Sequence, residues 1–364
     1  YNVALGTQAL SADTLGSNSV AVGVGTLFNQ NFTTATAVYN TAVGHAAGNQ
    51  ITTGSHNTLI GGLAGDALTV GNANVAVGIS ALSGDTKGDR NVAIGYEALL
   101  NQNFTTSTDA YNVAIGYIAG QSITTGHSNV FIGGLCGDGT DDGNQNTAVG
   151  HNSLTGNAGN ANVAMGISTM EVATGSDNTC IGAAAGAELT SGENNVFLGH
   201  NAGRASSPSG VQTNGSGTVC LGDDNISDLF CADTSISSSD SRDKADITDF
   251  TIGLNWIKDL RPVTYKWDKR SWYGTDEEPY GTPDGSKKKS KVNIGFLAQE
   301  ALEVEKANGF GDSADNMLVC NLTEDGQRYG MKYERLVPVL VNAIKELSAK
   351  VTTLESEVTK LKGE

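Results

Sequence analysis

Residues 112–128 read NVAIGYIAGQSITTGHS, and this 17-residue phrase recurs along the first two-thirds of the chain. Each copy begins with Asn, three mostly apolar residues and Gly. Ser19 and Thr218 begin two variants of it, and successive copies start 16 to 23 residues apart, most often 17. A fixed period of this length predicts stacked repeats, each burying its apolar face only against its neighbours. The asparagines that begin the copies are Asn2, Asn40, Asn57, Asn74, Asn91, Asn112, Asn129, Asn146, Asn162, Asn178 and Asn195.

Each copy is predicted to form one rung of a β-solenoid or β-roll. The residues after Asn are β-branched and alternate large with small, which suits a half-buried strand. The following Gly allows a turn or a close backbone approach. A second weak apolar group, such as Ile118-Ala119-Gly120, predicts about two short strands and two turns per rung. The Asn has two interpretations: an inward amide that bonds the next rung or caps a turn, or a glycan or metal contact.

Two of the intervals are 21 residues long and carry near-copies of one insertion. Residues 28–34 read FNQNFTT, and residues 100–106, which lie 72 positions later, read LNQNFTT. A block of four rungs has therefore been duplicated. Insertions in solenoids form loops on one face, which is often the binding face. A neutral bulge copied by the duplication is the alternative.

The repeat region is acidic and poor in cations. Residues 1–230 hold 16 acidic side chains but only Lys87, Arg90 and Arg204 as strong cations, so they carry −13 of the formal charge of −17. We therefore expect no nucleic-acid partner. No apolar run approaches the ~20 residues of a membrane span, and we expect no membrane insertion. The chain begins within a rung at Tyr1 without a visible signal peptide, so we expect it to continue a longer protein.

Cysteine and histidine usage indicates neither a disulfide framework nor a metal site. The number of cysteines is odd and no CxxC pair occurs, which predicts small buried hydrophobes in a protein made in a reducing cytoplasm. The five histidines lack metal-ligand spacing. The acidic stretch Asp138–Asp142 is either a solvated turn or a calcium site, and we expect no metal and no cofactor. The cysteines are Cys136, Cys180, Cys220, Cys231 and Cys320.

The composition changes abruptly after about Cys231. All three tryptophans and 19 of the 22 Lys and Arg residues lie beyond it. We predict fibre repeats over 1–230, a linker over 231–238, a small α+β core over 239–335 and a C-terminal coiled-coil helix over 336–364. The helix carries a heptad seam with Val or Ile at a and Leu at d, a choice that favours two strands in isolation. The seam residues are Val337, Leu340, Ile344, Leu347, Val351, Leu354, Val358 and Leu361.

Four segments of the second region carry a resemblance to one family. They are SDSRDK at 239–244, IKDLRPVTYKW at 257–267, NIGFLAQE at 293–300 and YERLVPVLVNAIKEL at 333–347. In this order they resemble the self-cleaving intramolecular chaperone domain that ends phage tail spikes, endosialidase tail fibres and myelin regulatory factor. The resemblance implies a trimerising chaperone that folds an upstream β-rich fibre and then removes itself with a Ser–Lys dyad. The repeats themselves are similar to the heads of trimeric autotransporter adhesins and to repeats of viral fibres.

The family's Ser-Asp-x-x-x-Lys pattern falls on Ser239, Asp240 and Lys244. A serine hydroxyl attacks only when a base takes its proton, and lysine is a base only when burial or a nearby cation lowers its free pKa of ~10.4. We expect Ser239 to attack the carbonyl of Ser238, after which water hydrolyses the ester. A cut on the other side of Ser239 stays open, and Asp240 would orient Lys244 or a backbone group. The alternative is a Ser-rich linker that ends in a helix cap.

These observations predict the distal part of a phage tail or neck fibre. We expect a homotrimer that joins upstream fibre or virion proteins and meets a host-surface glycan or protein receptor. It would be assembled in the host cytoplasm, reside in the virion and perform a single self-cleavage. One alternative is a glycan-degrading tail spike, which needs paired carboxylates in an aromatic cleft. The other is a cell-surface trimeric adhesin, which needs a secretion signal and a membrane anchor.

Overall fold

A computed structural model describes residues 1–226, 229, 239–275, 278–323 and 325–363. The chain divides into two compact units, Tyr1–Asn225 and Ile226–Glu364. The first unit is the predicted β-solenoid, in which thirteen three-residue strands, one from each rung, form one parallel sheet. These strands are Val3–Leu5, Val20–Val22, Thr41–Val43, Thr58–Ile60, Val75–Val77, Val92–Ile94, Val113–Ile115, Val130–Ile132, Thr147–Val149, Val163–Met165, Thr179–Ile181, Val196–Leu198 and Val219–Leu221.

Equivalent residues lie directly above one another in this sheet. Val113 pairs with Val130, and Ala114 pairs with Phe131. The middle residue of a strand points into the solenoid, where Ala114 and Phe131 are fully buried. The first and third residues point outward and stay partly exposed, as in Val130–Ile132. The interior is therefore a continuous column of Ala, Leu, Phe and Cys side chains.

The cysteines of the repeats belong to this column, as predicted. Cys136, Cys180 and Cys220 are free and buried. Burial raises the pKa of the Cys136 and Cys180 thiols to about 12. Cys320 of the second unit is also free and buried, whereas Cys231 lies outside the described residues.

The Gly that closes each Asn-x-x-x-Gly phrase allows two backbones to meet. At Gly95, φ is +136°, and a Cβ atom would lie 2.1 Å from the carbonyl oxygen of Gly116 in the next rung. At Gly133, φ is +140°, and the corresponding distance to Gly150 is 2.4 Å. Glycine is therefore required both for its conformation and for the space it leaves.

The expected second strand is absent from most rungs of the described solenoid, and for these rungs the prediction was wrong. Ile118 and Gly120 both have a φ of +59°, which turns the chain at the positions where a strand would continue. Their amides still link rungs, because Ile118 donates to Tyr96 and Gly120 donates to Cys136, each at 2.9 Å. Second strands do occur beside the two insertions, where Gly16–Ser17 pairs with Thr36–Ala37 and Gly88–Asp89 pairs with Thr108–Asp109. Each pair joins a long rung to the 17-residue rung before it.

The second unit is a small α+β domain with a long terminal helix. Its helices are α1 (Leu254–Asp259), α2 (Ala298–Ala307) and α3 (Leu336–Lys362). Two antiparallel strand pairs join Val263–Tyr265 to Asn293–Gly295 and Cys320–Leu322 to Tyr329–Met331. Short 3-10 turns occupy Ser241–Asp243, Arg270–Tyr273, Ala314–Asn316 and Tyr333–Arg335.

The core of this domain forms where α1 and the start of α3 meet. Trp256 of α1 packs with Val319, Leu336 and Val339. Beyond this contact α3 is exposed, and its heptad residues from Val337 to Leu361 face solvent in a single chain. Within the described residues, no helix is both long and apolar enough to cross a membrane.

Candidate functional site

Ser239 and Lys244 meet across a short turn. The Nζ atom of Lys244 donates a hydrogen bond of 2.7 Å to the Oγ atom of Ser239. The 3-10 turn Ser241–Asp243 lies between them. The five-residue spacing therefore brings the nucleophile and base of the predicted dyad into hydrogen-bond reach. Ser238, whose carbonyl would be attacked, lies outside the described residues.

Asp240 builds this turn and does not contact Lys244 in the described structure. Its Oδ1 atom accepts a hydrogen bond of 2.9 Å from the backbone amide of Arg242, as an N-cap does. The Arg242 guanidinium closes a bidentate pair on the same carboxylate, with Nη2 2.6 Å from Oδ2. This guanidinium holds the pKa of Asp240 below its usual value. Of the two partners expected for Asp240, the backbone group is the one it contacts.

The dyad lies at the surface of a single chain. Both Ser239 and Lys244 are exposed. A neutral lysine is favoured by removal from water, and exposed side chains keep their hydration. The pair therefore has the geometry of a nucleophile and a base, but it lacks the water-excluded environment that self-cleavage would need.

The other family-like segments pack together into one framework. Arg261 forms a bidentate ion pair with Glu300, with Nη2 2.5 Å from Oε1, and this pairing lowers the pKa of Glu300. The hydroxyl oxygen of Tyr333 accepts a hydrogen bond from the Phe296 amide at 3.2 Å, and the two rings lie 6.1 Å apart. Residues far apart in sequence thus hold the segments at 257–267, 293–300 and 333–347 against each other.

Two polar residues of α3 fix the chain that follows the dyad. The Nδ2 atom of Asn342 donates to the carbonyl oxygen of Phe250 at 2.5 Å, and Glu346 accepts the Leu254 amide at 3.3 Å. Gly253 permits this contact, since a Cβ atom there would lie 2.5 Å from the Ala343 nitrogen. The family resemblance included this helical segment, but the sequence did not indicate that Asn342 and Glu346 bind the backbone of residues 250–254.

Glu305 is a further residue that the sequence reasoning missed. It is fully buried on α2, and its carboxylate accepts the amides of Leu318, Val319 and Cys320, the last at 3.0 Å. Three amide donors offset the cost of burying the charge. Its spacing from Ala301 and Leu302 places it on the buried face of α2, and this is the signal that could have found it.

The anchor asparagines form a ladder inside the solenoid. Asn129 is fully buried, and its Nδ2 atom donates to the Gly143 carbonyl of its own rung at 2.9 Å. Its Oδ1 atom accepts the Asn146 amide of the next rung, also at 2.9 Å. The amide group is thus used within the fold, in agreement with the structural interpretation of the Asn and not with a glycan or metal contact.

The two insertions are also tied inward. In the second one, Gln102 is fully buried and its Nε2 atom donates to Asp85 at 2.6 Å. Its Oε1 atom accepts from Asn112 at 2.8 Å. In the first insertion Gln30 donates to Asp13 at 2.9 Å and accepts from Asn40 at 2.9 Å. The duplicated block therefore preserves one buried polar network.

The acidic stretch Asp138–Asp142 contains a hydrogen bond from Thr124 to Asp141. Within the part of the chain that the structure describes, no group of three or more His, Cys, Asp or Glu side chains is arranged to hold a metal ion.

Comparison with known proteins relates the candidate site to one family model. Residues 239–310 match the family model described as chaperone of endosialidase, a peptidase family, and the match begins at Ser239. No curated protein and no solved structure matches the chain. The match to residues 239–310 and the β-solenoid that precedes it fit a phage tail fibre with a C-terminal chaperone domain of the endosialidase type.

Proposed function

We propose that this chain is the distal part of a trimeric phage tail or neck fibre, whose C-terminal domain trimerises it and then releases itself at Ser239. The observation that carries the cleavage proposal is the 2.7 Å contact between Lys244 Nζ and Ser239 Oγ, at the first residue of the family match. The match to this family model supports a place in the virion, with upstream fibre proteins and a host-surface glycan or protein receptor as partners.

The proposed reaction is an N-to-O acyl shift followed by hydrolysis. Lys244 takes the proton of the Ser239 hydroxyl, and Oγ attacks the carbonyl carbon of Ser238. The peptide C–N bond breaks, the Ser239 nitrogen leaves as an amine after taking up a proton, and an ester joins residues 238 and 239. Water then hydrolyses the ester, so that one fragment ends at Ser238 and the other begins at Ser239. One water molecule is consumed and no cofactor takes part.

The domain would be active only once assembled. Because both dyad side chains are exposed in one chain, neighbouring copies would supply the dry surroundings that a neutral lysine needs. The exposed heptad seam of α3 is the element that would bring the copies together. Cleavage would then report that folding and trimerisation are complete.

Intact mass under denaturing conditions tests the cleavage. We expect the wild-type chain to give fragments of residues 1–238 and 239–364, whereas Ser239→Ala and Lys244→Ala stay full length. Ser241→Ala is the matched control, because this exposed serine lies in the same turn and its side chain does not define the dyad. A folded trimer that remains intact would contradict the proposal, and fragments of 1–239 and 240–364 would move the cut to the other side of Ser239.

A further inference from the structure

The outer face of the thirteen-stranded sheet is a largely apolar strip. The first and third residues of every strand point outward and are Val, Ile, Leu, Met or Thr. The in-register pairing stacks them into two straight columns, as in Ile94, Ile115 and Ile132. In the third-residue column, Ile60 and Ile132 keep 40% and 38% of their surface exposed within one chain. We call this surface the strand face.

The strand face is as large as the largest apolar patches that single soluble chains usually leave open. Twelve steps of ~4.8 Å and a width of ~10 Å give roughly 600 Å², the upper limit for the largest apolar patch of a typical monomer. The position after the Asn-x-x-x-Gly phrase widens the strip with exposed Ile79, Tyr96, Tyr117 and Ile167. The widened strip approaches the ~800 Å² that each partner contributes to a standard interface.

Charge and spacing identify the occupant. The thirteen strands carry no Asp, Glu, Lys, Arg or His residue, whereas Asp66, Asp138 and Glu171 lie in turns outside the strands. With −13 on the repeats, two copies repel each other least where these strands face each other. A surface that repeats every ~4.8 Å keeps contact along its whole length only with a partner of the same rise. A second solenoid of this chain has that rise.

We propose that the strand face is the surface through which copies of this fibre pack against each other, parallel and in register. The inference rests on the proposed trimer and goes beyond it by naming the interface. Each Ile or Val of the strand face would meet the equivalent residue of a neighbouring copy at the same height. The acidic turns would remain outward, toward solvent.

Cross-linking in the full-length chain tests the interface. We compare Ile132→Cys, on the strand face, with Thr125→Cys, an exposed turn residue equivalent to Asp142 of the next rung. After treatment with a short bis-maleimide, we expect covalent dimers from Ile132→Cys, because one introduced thiol per chain can join only one neighbour, and only the wild-type background from Thr125→Cys. The wild-type chain sets the background of the native cysteines.

A second pair of variants asks whether the face is required. Ile132→Lys should reduce the trimeric fraction in sedimentation at least tenfold, whereas Thr125→Lys should not change it. Cross-links through position 125 instead of position 132 would contradict the proposed interface but would remain compatible with a trimeric fibre. A wild-type chain that sediments as a monomer would contradict the proposed trimeric fibre itself.

Discussion

A single glycine in each rung determines whether neighbouring rungs can stack. Gly95 combines a φ of +136° with a carbonyl oxygen only 2.1 Å from the position of a Cβ atom. We expect Gly95→Ala to destabilise the solenoid by about 3 kcal/mol, since strain and steric overlap add. Thermal unfolding and protease resistance of the soluble fibre measure this loss.

Gly62 provides the control for this substitution. No atom lies within 4 Å of the position where its Cβ would stand, and its φ does not fall in the left-handed region. Gly62→Ala should therefore leave the unfolding temperature unchanged or raise it slightly. Equal losses from both substitutions would mean that the close approach at Gly95 is not what limits stacking.

The sequence predicted the role of a residue correctly where the residue type itself indicates its conformation. The Asn and Gly of the repeat phrase are examples. The Asn amide can hydrogen-bond to the backbone, and Gly, which lacks a Cβ atom, allows a turn or a close backbone approach. Other left-handed positions are held by Tyr39, Arg90 and Ile118, side chains that do not indicate a positive φ. The prediction of a second strand was wrong for this reason. The sequence shows the alternation of apolar residues, but it does not show that residues such as Ile118 turn the chain.

At the second insertion, the Asp85 carboxylate is required because its partner Gln102 presents a hydrogen-bond donor to it. Asp85 accepts from Gln102, whose own Oε1 atom is already occupied by Asn112. We expect Asp85→Asn to cost about 1–3 kcal/mol, because the new amide faces the Nε2 donor of Gln102. Adding Gln102→Glu should recover much of this loss, since a carboxylate at position 102 accepts from both neighbours.

The pH dependence of the same variants provides an independent measurement. Burial raises the pKa of Asp85 above its usual 3.8. The folded chain therefore keeps a proton that the unfolded chain has lost, and the free energy of unfolding should fall as pH rises from 3.8 toward the raised value. Asp85→Asn should lack this component in melts recorded across the window. A profile identical to that of the wild type would exclude Asp85 as its source.

Helix α3 presents a seam that a single chain leaves uncovered. Leu354 is 58% exposed at a d position, whereas Ser356 lies two residues further on, off the seam. We expect Leu354→Asp to weaken trimerisation at least tenfold and to slow cleavage, because the dyad would depend on neighbouring copies. Ser356→Asp should do neither. Mass photometry and intact mass of the same samples measure both effects.

In the candidate site, the contact between Ser239 and Lys244 depends on nearby residues, whereas the expected burial depends on the assembled oligomer. The spacing of Ser239 and Lys244 suggested a contact, and the turn capped by Asp240 produces it from residues within six positions of each other. The expected burial could not be found in one chain, because it depends on surfaces that neighbouring copies would supply. Glu305 and Asn342 were missed because their partners lie at least 13 residues away in sequence.

At the scale of the whole molecule, the solenoid is a stack without a long-range core. Each rung contacts only its neighbours, and thirteen strands pair through single steps along the chain. Such a stack can begin at several places at once, and copies of an acidic chain must still find one register. A domain that holds the chain ends together would remove this ambiguity.

Self-cleavage at Ser239 would make this assembly one-way. Once the chaperone domain has left, denatured repeats would have no element to set their register, although the trimer would persist because its unfolding barrier is high. We expect the cleaved fibre to resist detergent without heating but to refold at least tenfold less efficiently than uncleaved Ser239→Ala after denaturation. Recovery of trimers by sedimentation measures the yields, and Ser241→Ala, which should still be cleaved, controls for the substitution. Equal yields from cleaved and uncleaved chains would show that the repeats carry their own register, and that the C-terminal domain is not needed to set it.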